Sequence, residues 1–345
     1  MATNKENAIK AIHAKKANPV LLYFKRNTGI IIGLVLLTAL FTIFTDNFLT
    51  ISNILTMLQN NAVNAIICCG MLMAIMMGQI DISVGSIVGL TAMVAAFLIT
   101  NLGSNVYVAL LVSLLVGLLI GVINGFLIAY LKIPAFVATL ATQSIARGFC
   151  KILSDGISIR IRNDVYNAIA GTKIKIPGTE FLSPNGRVPV SISITILYAI
   201  VLLLITWLLL NKTKFFYYIY AIGGNETAAN YSGIDTRLYN MIPYIYIGFL
   251  CAVGGTIWAS KLQGVQSTLG AAYEMDAISA VVIGGTSMSG GSGTVGGTLI
   301  GILIIAVLSN GLNVMGVNAF WQDVFKGVII IIAVVIDVIR KSKKK

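Results

Sequence analysis

The hydrophobic pattern of this chain is a series of ten apolar runs separated by short polar breaks. Five are long and clear: Gly29–Thr45, Val106–Leu131, Ser191–Leu210, Met241–Ala259 and Val324–Ile339. Five are shorter or interrupted by small residues: Ala62–Met77, Ile82–Leu102, Pro134–Cys150, Ala277–Met288 and Val295–Leu312. A bilayer-crossing helix needs about 20 apolar residues, fewer where it is broken, so each run predicts a transmembrane helix. Between the first two lies "FLTISNILTMLQNN", polar and apolar by turns, which predicts an interfacial helix rather than a span.

Two polar connections stand out. Lys151–Pro189 is the longest, and "GISIRIRN", "TKIKIPGTE" and "SPNGRVPV" predict short strands and turns within it. Asn211–Asn240 carries "NKTKFFYYIYAIGGNETAANYSGIDTR". The second half of the chain also echoes the first. In "DISVGSIVGLTAM" (Asp81–Met93) and "DAISAVVIGGTSM" (Asp276–Met288), Asp is followed by Gly eight, Thr ten and Met twelve residues on. "NGFLIAYLKIPAF" from Asn124 pairs more loosely with "NGLNVMGVNAF" from Asn310. The units begin five spans apart, an odd number, so they are expected to lie inverted in the membrane, an architecture of transporters with broken helices. The expected fold is all-α and polytopic, about ten transmembrane helices with an inverted internal repeat.

Composition sharpens the class. Of 345 residues, 57% are hydrophobic and only 10% charged, with a mean hydropathy of +0.91. A soluble domain carries about a quarter charged residues, so lipid must solvate much of this surface. The net charge of +12 gathers at the ends, in Lys5, Lys10, Lys15, Lys16, Lys25 and Arg26, then Arg340, Lys341, Lys343, Lys344 and Lys345. Basic flanks stay on the cytoplasmic side, so residues 1–28 and 340–345 are expected as cytoplasmic tails around a membrane domain at 29–339. That orientation puts loop 151–189 outside and loop 211–240 inside. The outer loop resists it, with six basic residues against three acidic ones. Neither tail offers the basic face, interleaved with aromatic or hydrogen-bonding residues, that nucleic-acid binding requires. The four cysteines lie in or beside apolar segments and the single histidine, His13, sits in the first tail. Metal or triad chemistry therefore has no material, and no enzyme activity or resident cofactor is expected.

Two motifs need their plain readings stated. "GSGTVG" (Gly291–Gly296) fits G-x-G-x-x-G, but its neighbours are apolar spans, so a tight turn and closely packed small residues explain it better than a dinucleotide. No phosphate-binding loop with its lysine occurs in the chain, so ATP, if used, is bound by another subunit. Asp81, Glu274, Asp276 and Asp323 lie at or within apolar segments, where a charge costs roughly 2.5–3.5 kcal/mol. A proton- or ion-coupled carrier would use such acids at Asp81 or Asp276. The preferred reading is helix capping, because each precedes a run of small and apolar residues, "ISVGSIVG" and "AISAVVIG". Asp81 with Ser83 and Gly85 would then frame a helix break beside a pathway. Asn124, Asn310 and Asn313 on apolar helices, with Trp321 and Gln322 at the start of the last one, are the candidates for a polar route. Amides bond hydroxyls and an indole face can stack on a sugar, although such residues also hold helices together.

"AIGGNETAANYSGIDT", "GQIDISVGSIVGL", "YEMDAISAVVIGGTSMSGGSGTVGGTLIG" and "GVNAFWQDVFKGVIIIIAVVID" together resemble the permease subunits of monosaccharide ABC importers of the ribose/galactose/xylose type. The resemblance runs from about Phe48 to Asp337. "TAANYSG" holds an A-A-x-x-x-G core (Ala228, Ala229, Gly233) that resembles the family's cytoplasmic coupling segment, with Glu226 displaced by one inserted residue. The resemblance implies a bacterial cytoplasmic-membrane protein that works as two copies. A separate ATPase, carrying ATP and Mg, would dock on Asn225–Gly233. An extracytoplasmic sugar-binding protein would dock outside, near Lys151–Pro189. "GVNAFWQ" leans toward the galactose-type members.

Overall fold

The computed structural model describes residues 19–183 and 186–342. The basic residues up to Lys16 and the last three lysines lie outside the described residues. In chain order the helices are α1 (Pro19–Phe44), α2 (Ile51–Met76), α3 (Val84–Thr100), α4 (Val106–Ala129) and α5 (Ala135–Ser154). After the strand β1 (Ile159–Arg160) come α6 (Asp164–Gly171) and the strands β2 (Lys173–Ser183) and β3 (Gly186–Ser193). Then follow α7 (Ile194–Lys212), α8 (Lys214–Gly224), α9 (Glu226–Tyr231) and α10 (Thr236–Leu262). The strand β4 (Gly264–Val265), α11 (Tyr273–Ile283), α12 (Val295–Val314) and α13 (Ala319–Ser342) complete the order.

Each of the ten apolar runs holds a helix, and among the described residues five helices (α2, α4, α7, α10, α12) are long and apolar enough to cross a membrane. Two expectations need correction. "FLTISNILTMLQNN" is not a separate interfacial helix, because from Ile51 it is the first part of α2, capped by Thr50, whose hydroxyl accepts from the Asn53 N–H at 3.3 Å. Ala277–Met288 is not a full span either. Its helix, α11, has 11 residues, a length of about 16 Å at 1.5 Å per residue, against a hydrocarbon core of about 30 Å.

The core is built around α2, in which every residue from Ala62 to Met77 is buried. Lipid could also solvate an apolar face, so burial on every side, with the amide of Asn64 included, marks this stretch as enclosed by other helices. α10 packs along α2, and the remaining contacts come in matching pairs. α3 packs on α10 as α11 packs on α2, and α4 packs on α10 as α12 packs on α2. Likewise α3 touches α4 and α5 while α11 touches α12 and α13. The two halves therefore repeat at the level of elements. The second echo in the sequence marks this well: Ala135–Phe136 and Ala319–Phe320 each open the helix after the one that carries Asn124 or Asn310.

Close approach replaces hydrophobic drive between helices in lipid, and small residues permit it. On α4, Gly117 and Gly121 lie one turn apart. A Cβ on either would fall 2.5 Å from the Gly248 carbonyl oxygen or 2.4 Å from that of Tyr244, so α4 and α10 meet backbone to backbone. In the long loop, β2 and β3 form an antiparallel hairpin, and β1 pairs with β4. The helix α6 is an addition that the strand-like pattern of the loop concealed.

Candidate transport and docking site

α2 ends at Met76 because the chain turns at Gly78 (φ +72), and α3 does not begin until Val84. Asp81, fully buried in this break, accepts from the Ser83 N–H at 2.8 Å and the Ser83 hydroxyl at 2.5 Å. This local turn starts α3, whose N-cap is Ser83 and makes no side-chain capping bond. Asn124 reaches in from α4, donating Nδ2 to Ser83 Oγ at 3.0 Å and accepting from the Thr142 hydroxyl of α5 at 2.6 Å. Thr139, one turn earlier on α5, accepts from the Ile82 N–H at 3.2 Å. The structure thus brings Asp81, Ser83 and Asn124 together and closes them with two threonines. Gly85 faces elsewhere: a Cβ there would lie 2.1 Å from the Gly270 carbonyl oxygen and 2.7 Å from Glu274 Oε2. The stretch before α11 therefore presses directly on the first turn of α3.

Asp276 is not the counterpart of Asp81 that its sequence echo predicts. It is the fourth residue of α11, whose N-cap is Ala272 at φ +66, so it has no helix start to cap. Its carboxylate instead meets Lys326 of α13, with Nζ 3.0 Å from Oδ1 and 3.1 Å from Oδ2. Both side chains are mostly buried, at 18% and 19% exposure. The pair neutralises two charges that lipid-facing helices would otherwise carry.

The remaining candidates lie apart from the Asp81 cluster. Asn310 is buried on α12 with Nδ2 lacking a hydrogen-bond partner, and Asn313 is exposed one turn on. Trp321 is exposed and in ring contact with Phe325, while Gln322 donates to the Val317 carbonyl at 3.2 Å. Among the described residues no hydrogen bond joins these four to Asp81, Ser83 or Asn124.

The segment Asn225–Gly233 folds into a free-standing turn of helix, α9. Asn225 caps it, its Oδ1 accepting from the Ala228 N–H at 2.9 Å, and Glu226 puts an acid in the first turn. Ala229 is buried at 5% exposure and anchors the helix, whereas Ala228 and Tyr231 face outward, Tyr231 at 88%. Gly233 ends it at φ +83, a backbone state that favours glycine, and Asp235 caps α10 two residues later. A groove of about 730 Å³ runs beside α9, lined among others by Tyr130, Lys132, Thr227 and Arg237. Lys132, from the α4–α5 connection, pairs with Glu226 at 3.1 Å across it. Reading the sequence missed Lys132, Gln79, Asn240 and Tyr244, which make polar contacts between these regions, and Lys326, which pairs with Asp276. "GQID" and "YNMIPY" display three of them, but nothing local signals that they meet.

A long helix followed by a break and a shorter helix, once in each of two halves joined by an exposed helical turn, is the architecture of a polytopic membrane permease. The chain belongs to the family described as "Branched-chain amino acid transport system / permease component", which it matches over residues 50–334. Among curated proteins it is 43% identical over 315 residues to the ribose import permease protein RbsC of Bacillus subtilis (strain 168), covering 90% of this chain and 92% of the relative. It is 34% identical over 335 residues to the galactose/methyl galactoside import permease protein MglC of Escherichia coli (strain K12), covering 94% and 97%. It is also 34% identical over 321 residues to the probable ABC transporter permease protein YphD of the same strain, covering 92% of each. These relatives favour an ABC-type permease over an ion-coupled carrier working through Asp81 or Asp276. Against the lean of "GVNAFWQ", identity runs higher to the ribose than to the galactose permease. No solved structure matches the chain significantly.

Proposed function

We propose that this chain is the membrane subunit of an ATP-driven monosaccharide importer, with ribose the first sugar to test. The observation that carries the proposal is 43% identity to a ribose import permease over nine-tenths of the chain, joined to an outward-facing α9 beside an open groove. In this reading a separate ATPase docks on α9 and supplies all nucleotide and Mg chemistry. An extracytoplasmic binding protein delivers sugar at the face of loop 151–189, and a second copy of the chain completes the assembly. Both termini and loop 211–240 lie in the cytoplasm, the membrane domain spans 29–339, and the protein sits in a bacterial cytoplasmic membrane.

The division of labour follows from the chemistry. The break around Asp81 is lined by hydroxyls and an amide, which in the structure are buried and bonded to one another. In this reading they reach a sugar only when the cluster opens, and ATP hydrolysis on the partner subunit sets the direction. Substituting Ala228 by Arg tests the docking face, since Ala228 is exposed and its replacement leaves the packing of Ala229 intact. The variant is expected to lose co-purification of the ATPase subunit while its thermal stability in detergent stays that of wild type. Full ATPase association would refute docking at α9.

A further inference from the structure

A row of direct hydrogen bonds leads from α9 to the break between α2 and α3. Glu226 Oε1 accepts from Lys132 Nζ at 3.1 Å and from Asn240 Nδ2 at 3.0 Å. Asn240 Oδ1 accepts from Gln79 Nε2 at 3.0 Å, and Gln79 Oε1 accepts from the Tyr244 hydroxyl at 3.0 Å. Both amides are committed at each end: turning Asn240 over would set donor against donor and acceptor against acceptor, and turning Gln79 over would set its oxygen against Asn240 Oδ1. The row enters the protein as it goes: Glu226 is half-exposed, Asn240 is 2% exposed and Tyr244 is fully buried. Gln79 is two residues from Asp81, and its own N–H is held by the Ala74 carbonyl at the end of α2.

A second break, between the end of α11 at Ile283 and the start of α12 at Val295, is gripped by the same segment. The Tyr220 hydroxyl of α8 donates to the Gly293 carbonyl at 3.2 Å, and the Gly291 N–H donates to the Met76 carbonyl at 2.8 Å. Gly223, two residues before the α9 cap, presses on that same Met76 carbonyl, where a Cβ would come within 1.9 Å. The elements flanking α9 therefore touch both interruptions of the bundle, and only the first is reached through side-chain amides.

We propose that Asn240 and Gln79 are positioning residues that transmit the setting of α9, through Glu226, to the start of α3. The proposal rests on the reading of α9 as the ATPase-docking helix. A shift of α9 moves the Glu226 carboxylate, and a buried amide cannot let go of its partner without leaving a polar group unsatisfied. Asn240 and then Gln79 follow, and the Asp81–Ser83 turn follows Gln79 through two residues of backbone. Coupling carried in this way needs the bonds to be continuous, which a purely structural staple would not.

The test uses the complete importer in proteoliposomes, with ATPase subunit and binding protein, and reads sugar taken up per ATP hydrolysed. Gln79→Leu and Asn240→Leu are expected to assemble and hydrolyse ATP as wild type does. Their uptake per ATP should fall by about tenfold, equivalent to roughly 1.4 kcal/mol and within the range for one broken buried hydrogen bond. Glu226→Gln keeps an acceptor oxygen for Asn240 and should retain the wild-type ratio. If Gln79→Leu does not assemble, Asn240→Leu, which has nearly the shape of Asn and adds no charge, decides on the same ratio. An unchanged ratio, or uptake and hydrolysis falling in proportion, would overturn the relay. Failure of the docking reading is separate: Ala228→Arg would then leave ATPase association intact.

Discussion

Gly223 and Gly224 are neighbours with opposite surroundings, and a methyl group on each separates packing from mere helix propensity. A Cβ at Gly223 would lie 1.9 Å from the Met76 carbonyl oxygen and 2.8 Å from the Gly291 nitrogen, while one at Gly224 would meet nothing within 4 Å. Reaching even 3.0 Å from Met76 requires backbone to move, because the obstacle is a carbonyl and not the end of a flexible side chain. Overpacking of this kind costs about 1–3 kcal/mol, and displacing Met76 also breaks its bond from the Gly291 N–H, worth about 1 kcal/mol. Gly223→Ala is therefore expected to lose about 2–4 kcal/mol. Gly224→Ala should be neutral or gain up to about 1 kcal/mol from helix propensity. Thermal unfolding of the two variants in the same detergent, followed by tryptophan fluorescence, measures the difference directly. Equal midpoints would refute the claim that the α8–α9 junction is wedged against the end of α2.

Three other substitutions probe separate parts of the account. Lys326→Met strands Asp276 and should destabilise by about 3 kcal/mol, the low end for a buried pair given its residual exposure; adding Asp276→Asn should recover most of the loss in the same unfolding assay. Asn124→Leu removes the link between Ser83 and Thr142 and should cost about 1–3 kcal/mol, with a lowered unfolding midpoint and reduced uptake. Asn225→Ala removes the cap of a six-residue helix, worth about 0.5–2 kcal/mol, and should weaken ATPase binding in a titration, whereas Asn225→Ser should restore it.

The sequence displayed its helices plainly because lipid demands apolar runs, and each of the ten runs holds a helix, although the helices over Gly29–Thr45 and Ala62–Met77 begin about three turns earlier, at Pro19 and Ile51. Where it misled, the reason lies in the breaks. Asp81 and Asp276 share a local pattern, yet α3 starts after the first and α11 before the second, because Ala272 turns the chain early. The Asn124 and Asn310 echo survived, since it is set by helix ends and not by side-chain chemistry. Polar partnerships were out of reach. Gln79 meets Asn240 across 161 residues and Asp276 meets Lys326 across 50, and no periodicity encodes such pairings. The docking turn stood between these cases: its cap, small residues and terminal glycine were legible as a motif, but Tyr130 and Lys132, which close the far side of the groove, come from another loop.

ATP-dependent uptake of labelled ribose, measured in proteoliposomes that hold this chain with its ATPase subunit and binding protein, tests the central claim most directly. Uptake should require all three components together with ATP, and should cease when Ala228→Arg prevents docking. Ribose accumulation by the chain alone, driven by an ion gradient and indifferent to ATP, would contradict it.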